Sequence, residues 1–301
     1  MAYLSVAKTA VLWGMSERSV RNYCAQGRVE GAILVGKTWR IPAHATKPQR
    51  VNQKDVAATL LNRLQEEQQS RYAGGIYHRT QIDLTYNSNH MEGSRLTHEQ
   101  TRYIFETNTI GITSQAVKVD DVLETVNHFR CVDYIIEHAN VPLSEAFIKT
   151  LHQMLKANTS DALKRWFAVG DYKRLPNEVG GKETTLPEAV APAMKALLAA
   201  YATTQPKSLE ALLAFHVAFE QIHPFQDGNG RVGRLILFKE CLKHNIVPFI
   251  IDERLKLFYY RGLQMWDTEK EYLLDTCLTA QDNYKALLNY FRIPYTTNYD
   301  L

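Results

Sequence analysis

The stretch HPFQDGNGRVGR, His223 to Arg234, places one imidazole, one carboxylate, three glycines and two arginines within twelve residues. Inside it, GNGRVG has the glycine spacing of a dinucleotide-binding loop. That loop must leave a strand and open a helix within a βαβ unit. Here the preceding residues are LEALLAFHVAFEQI, in which Ala211, Leu212, Phe215, Ala218, Phe219 and Ile222 recur at helical spacing. The residues after the loop also read as helix. The context is helix–loop–helix, which excludes the dinucleotide reading and makes the surrounding region helical. A second glycine-rich piece, GGKETT, ends like a P-loop, but Leu175 and Pro176 stand where its first glycine is needed.

The loop still has the makings of a phosphate cradle. Gly228, Asn229 and Gly230 can expose successive backbone N–H groups where a helix starts at about Arg231, an anion hole reinforced by the helix dipole. Arg231 and Arg234 are three residues apart, so they share one face of the first turn. Asp227 alone would repel phosphate. A carboxylate makes sense there as a Mg²⁺ ligand, with the ion bridging it to phosphate oxygens. His223 ends the preceding helix, where it can serve as a general base toward an incoming hydroxyl. Pro224 fixes the turn and Phe225 anchors the loop.

The whole string fits H-x-F-x-[DE]-G-N-G-R-x-x-R at every specified position, and on this the chain resembles the Fic family over about residues 85–290. The resemblance implies a mainly α fold: an all-helical Fic domain with a small β-hairpin flap. It implies transfer of AMP from ATP to a Ser, Thr or Tyr hydroxyl of a target protein, the chain itself included. His223 is then the base, Asp227 the Mg²⁺ ligand, Gly228 to Gly230 the anion hole, and Arg231 and Arg234 the holders of the β- and γ-phosphates. Relatives that phosphorylate instead replace the last loop glycine with lysine, so Gly230 favours AMP transfer. The flap corresponds to about Arg174 to Thr185, with Asn177, Glu178, Val179 and Gly180 nearest the nucleotide. Such a flap takes targets by strand addition, although Pro176 removes one donor. In LFYYRGLQMWD, Tyr259 and Tyr260 match an aromatic pair that stacks on adenine; packing in the core is the alternative reading. Asp267 stands where many relatives have asparagine.

An earlier stretch, SNHMEG, fits [ST]-x-x-x-E-[GN] with Ser88, Glu92 and Gly93. In the Fic resemblance this is an inhibitory helix whose glutamate pairs with the second arginine of the loop, here Arg234. A carboxylate on that guanidinium takes the donors a γ-phosphate needs and adds negative charge where phosphate must sit. Ser88, one turn earlier, would help to orient the helix. The same residues also fit removal of AMP, with Glu92 positioning a water. A third reading is a transcriptional regulator whose Fic domain senses nucleotide.

The rest of the chain bounds these readings. Its 301 residues suffice for two domains, and 45% hydrophobic with 22% charged residues is ordinary globular composition. No apolar run is long enough to span a membrane, and the N-terminus lacks the basic region of a signal peptide. Cys24, Cys131, Cys241 and Cys277 show neither zinc spacing nor the density of a disulfide scaffold, so a reducing cytoplasm is expected. The formal net charge is +3, but residues 1–50 hold eight Lys/Arg against two Asp/Glu. A basic head on a mildly acidic body points to an anionic partner for the head.

Within that head, residues 6–12 and 16–25 read as two short helices, broken by Gly14 and ended by Gly27, and AILVGKTWRI reads as a hairpin. Ala10, Gly14 and Val20 suit the close approach, the turn and the packing of a helix-turn-helix. Residues 3–42 resemble an excisionase-like, MerR-related winged helix-turn-helix, which implies DNA binding through Arg18, Arg21, Lys37 and Arg40. A small protein-docking domain is the alternative. The expected organisation is a winged helix-turn-helix at 1–45, a linker and helical extension at 46–84 (polar over 43–55), and the Fic domain with its inhibitory helix at 85–295. Inhibition and DNA binding can both depend on a homodimer.

Overall fold

The computed structural model describes residues 2–25, 29–36, 38–47, 59–111 and 116–295. The chain divides into two compact units, Met1–Asp55 and Val56–Leu301.

The first unit runs β1 (Tyr3–Ser5), α1 (Val6–Trp13), α2 (Glu17–Ala25), β2 (Ile33–Val35) and β3 (Thr38–Pro42). Ser5 caps α1 by accepting the Lys8 N–H at 3.3 Å, and the Ser16 hydroxyl does the same for Ser19 at 3.2 Å ahead of α2. Gly14 closes α1 with φ of 60°, a conformation that costs glycine no side-chain clash. The three strands form an antiparallel sheet in the order β1-β3-β2, with Leu4 opposite Ile41 and Leu34 opposite Trp39. Val6, Ala10, Trp13, Val20, Cys24, Val29 and Ile41 make its core. The Lys47 ammonium donates to the Trp13 carbonyl at 2.7 Å, so the polar stretch after residue 42 begins tied to this unit. Gly27 and Lys37 lie outside the described residues.

The second unit is helical: α3 (Thr59–Ser70), α4 (Ile76–Met91), α5 (His98–Thr107), α6 (Val119–Glu137), α7 (Glu145–Leu155), a 3₁₀ turn (Ser160–Leu163), the hairpin β4 (Glu178–Val179) and β5 (Lys182–Glu183), then α8 (Pro187–Thr203), α9 (Leu209–Ile222), α10 (Asn229–Lys243), α11 (Lys256–Met265) and α12 (Glu271–Tyr290). Its centre is α10, in which every residue from Arg231 to Leu242 is buried. Its apolar residues, Val232, Leu235 to Phe238, Cys241 and Leu242, point to all sides, as in a helix inside a core, and α10 is packed by α3, α4, α6, α7 and α9. Each large apolar side chain it buries contributes about 1.5–3 kcal/mol. The start of α10, where the glycine loop enters, is therefore held by the whole core.

Leu61, Leu64, Ile76, Tyr77, Leu84 and Met91 belong to that same core. The segment read from sequence as an extension before residue 85 is thus packed with the rest, and α4 runs through the expected boundary. Helix α5 has no counterpart in the sequence reading, although Thr97 and Gln100 form a capping box that announces it. The hairpin turns on Gly180 and Gly181, with φ of 58° and 76°, and pairs Glu178 with Glu183. The four cysteines are buried and unpaired. Among the described residues, no helix is long and apolar enough to cross a membrane.

Candidate active site

The loop between α9 and α10 is fixed residue by residue. His223 caps α9 in the left-handed region, with φ of 51° and ψ of 61°. Such a conformation costs a non-glycine residue roughly 1–2 kcal/mol, and the next residues hold it. Phe225 is fully buried, stacked on the His152 ring at 4.0 Å and 4°. His152 accepts the Gly170 N–H at Nδ1 (3.0 Å), which leaves Nε2 to donate to the Asp227 carbonyl at 3.2 Å. Burial pushes its pKa down to about 3, so the ring stays neutral. The Asn229 amide closes the turn, accepting the Phe225 N–H at 2.7 Å and donating to the Phe225 carbonyl at 2.8 Å. An Asn229→Ala substitution would strand both groups in a buried site at about 1–3 kcal/mol each. We expect a drop of several degrees in the melting temperature by calorimetry, together with loss of whatever the loop binds.

His223 itself is partly enclosed, with Nδ1 buried, which leaves Nε2 as the nitrogen for proton acceptance. Burial first, and then the Lys173 ammonium, push its pKa down to about 4. The imidazole is neutral at physiological pH, the form a general base requires.

At the far end of the loop, Arg234 is held from α4. Its Nε donates to the Ser88 hydroxyl at 3.1 Å, and one terminal nitrogen donates to the Ser88 carbonyl at 3.0 Å and to Glu92 Oε1 at 2.6 Å. Ser88 therefore grips the arginine directly, where the sequence reading gave it a role within its own helix. Glu92 follows the last turn of α4, and Gly93 turns away with φ of 93°. The Glu92 carboxylate also lies over the loop: a Cβ built on Gly230 would stand 2.3 Å from Glu92 Oε1. Negative charge thus already sits at the helix start where an anion would bind.

Arg231 is engaged as well. It pairs with Glu124 of α6 and donates to Asp227 at 3.2 Å. Besides the phosphate-holding role that the resemblance implies, it braces the loop's carboxylate here. Lys156, buried at the end of α7, donates to the same Asp227 oxygen at 2.7 Å and also binds Glu124 and Asp161. Asp227 is held ionised: desolvation opposes this, but Arg231 and Lys156 outweigh it and keep its pKa well below the carboxylate range. Its side chain is 48% exposed. An ionised, half-exposed carboxylate fits a hard divalent cation.

The flap is tied to the loop through Asn177, whose amide donates to the Phe225 and Gln226 carbonyls at 3.1 and 3.5 Å and accepts from Lys173 at 2.7 Å. Glu178, Val179 and Gly180 are exposed beyond it. The two tyrosines differ from each other. Tyr259 is 1% exposed, and its hydroxyl bonds His216 at 2.5 Å. It is a core residue with no open face for a base, because its helix position points inward. Tyr260 is half-buried and donates to the Met91 carbonyl at 3.3 Å, beside the end of α4. Asp267 is exposed and accepts from Gln221 at 3.3 Å. In the first unit Arg18, Arg21 and Arg40 are exposed, and Arg21 pairs with Glu17 at 2.8 Å.

Residues 142–240 match the Fic/DOC family. The matched segment contains α7, the flap, α9 and the loop. Curated relatives include the protein adenylyltransferase Fic of Drosophila grimshawi, 27% identical over 189 residues that make up 60% of this chain and 37% of the relative. The protein of the same name from Drosophila melanogaster is 26% identical over 60% of this chain and 36% of its own length. The chain thus spans little more than a third of the relatives it matches. Among solved structures, a Fic domain containing signaling protein from Bacteroides thetaiotaomicron superposes with a TM-score of 0.59 at 25% identity, over 80% of this chain and 91% of that one. A Fic family protein from Desulfovibrio desulfuricans gives 0.57 at 20% identity, over 85% and 78%.

Several residues that shape the loop lie outside the motif string and escape the sequence reading: His152, Lys156, Glu124, Lys173 and Glu220. His152 and Lys156 are one turn apart on the otherwise apolar face of α7, the one signal available. Burial pushes the Glu220 carboxyl up to about 8 beside Arg234, and its Oε1 has no hydrogen-bond partner.

Proposed function

We propose that this protein is an adenylyltransferase that moves AMP from ATP to a Ser, Thr or Tyr hydroxyl of a protein, itself included, and that Glu92 holds it inactive. One arrangement carries the reading: a neutral His223 at one end of a glycine loop and, at the other, an arginine whose partner is a carboxylate placed where phosphate would go. In the reaction the target oxygen attacks the α-phosphorus as its proton passes to His223 Nε2. The bond to the β-phosphate oxygen breaks, and pyrophosphate leaves. The first N–H groups of α10 and the freed Arg234 hold the phosphates. Mg²⁺, held by Asp227, would neutralise charge on the phosphate oxygens. Asn177 fixes the flap along which the target strand would add.

The test is incorporation of label from α-labelled ATP into the protein and into a lysate, with Glu92 removed. Incubating a pre-labelled target with the wild-type chain separates transfer from removal of AMP.

For the first unit we propose DNA binding through Arg18, Arg21 and Arg40. Together, Arg18→Ala and Arg21→Ala should weaken binding to DNA upstream of the protein's own gene and flatten its salt dependence, since each phosphate contact releases counterions. A gel shift unchanged by both substitutions would favour a protein-docking role.

A further inference from the structure

Lys156 is 1% exposed, and its ammonium stands 2.5 Å from Glu124, 2.6 Å from Asp161 and 2.7 Å from Asp227. The three carboxylates approach within 4.8 Å of one another, so they converge on one point, and Lys156 fills it. Arg231 also faces Glu124 and Asp227, and Lys164 faces Asp161. Three cationic side chains therefore balance three carboxylates.

That balance has a consequence for Asp227. A divalent cation arriving alone meets a carboxylate whose charge is already matched, beside an ammonium that repels it. A cation arriving with a polyphosphate brings compensating negative charge. We propose that Lys156 is a built-in counter-ion that makes divalent-cation binding at Asp227 depend on nucleotide. It is a positioning residue: it touches the proposed metal ligand, not the reacting atoms. The proposal rests on the adenylyl-transfer reading only for the identity of the phosphate donor.

Removing the ammonium leaves converging carboxylate oxygens with excess negative charge, the hard donor set that Mg²⁺ or Mn²⁺ prefers. Free Mn²⁺ can be followed by electron paramagnetic resonance while it is titrated into the full chain and into Lys156→Gln without nucleotide. The variant should bind Mn²⁺ at least about tenfold more tightly than wild type, since one repelling charge within a few ångströms is gone. Its melting temperature should rise with Mn²⁺ while that of the wild type stays put. A non-hydrolysable ATP analogue should narrow the difference. Equal or weaker Mn²⁺ binding by folded Lys156→Gln overturns the proposal, and a variant that folds only with Mn²⁺ supports it. If the variant folds in neither condition, Asp161→Asn decides. That cluster has excess positive charge, and Mn²⁺ affinity with the analogue should fall at least about threefold; no change overturns the proposal. Metal binding is read without any AMP transfer, so a failed labelling assay and a failed titration remain separate results.

Discussion

A Glu92→Gly variant should label protein with AMP roughly 5- to 150-fold faster than wild type, the range of an ordinary coupling between two sites. Two contacts set the direction. The carboxylate takes an Arg234 donor at 2.6 Å, and it lies over Gly230 at the start of α10. Its loss returns a donor and removes negative charge from the place where phosphate must bind. Arg234 stays aimed, because both of its bonds to Ser88 remain. The fold should tolerate the change: Glu92 follows the helix with φ of −91° and ψ of 10°, so glycine is not placed in a helix interior. Glu92→Gln, which keeps the shape and loses the charge, should give a smaller gain. Label incorporated from α-labelled ATP measures both, and a Glu92→Gly rate equal to wild type sinks the inhibitory role.

In that activated background, His223→Ala should cut the rate about 10²- to 10⁴-fold, the usual worth of a positioned general base. Position 223 is left-handed, so a control is needed for backbone strain. His223→Asn suits that conformation better and should be equally slow. The pH profile gives a second readout. Burial and Lys173 depress the pKa to about 4, so the basic form is present above that value and lost as pH falls through it. Removing Glu92, which raises this pKa, leaves it no higher. Initial rates should show no histidine limb between about pH 5 and 8; an inflection near the ordinary value of about 6.5 would contradict the buried environment. The same depression disfavours the folded state once the free histidine is protonated, so stability contributed by this residue declines as pH falls below about 6.5.

Helical periodicity is enough to place α9 and the start of α10 to within a residue or two, because one face of each must meet the core. It could not find α5, whose capping box was the stronger signal, nor see α11 as a helix behind its aromatic pair. The motif string marked the loop because its residue types are unusual together. It did not reveal how the loop is braced. Lys156 at a helix end reads as a solvated cation, and only the meeting of α6, α7 and the loop makes it a buried one. The pair Tyr259-Tyr260 shows the same limit: adjacent residues on a helix point in different directions, and which one faces the core is decided by α9 and α12. No spacing rule brings Glu92 to Arg234, 142 positions later; only the resemblance pointed there.

The packing of α4 into the core changes what kind of inhibitor Glu92 can be. A carboxylate on a loose tail would compete with ATP as a dilute solute does, and more ATP would displace it. Carried on a helix anchored by Ile76, Tyr77 and Leu84, it is presented to Arg234 at a very high effective concentration. Nucleotide supply should then hardly alter the fraction released. Such a lock answers to whatever moves the single turn at Glu92 and Gly93, so the protein's output would follow an encounter with a partner rather than the energy state around it.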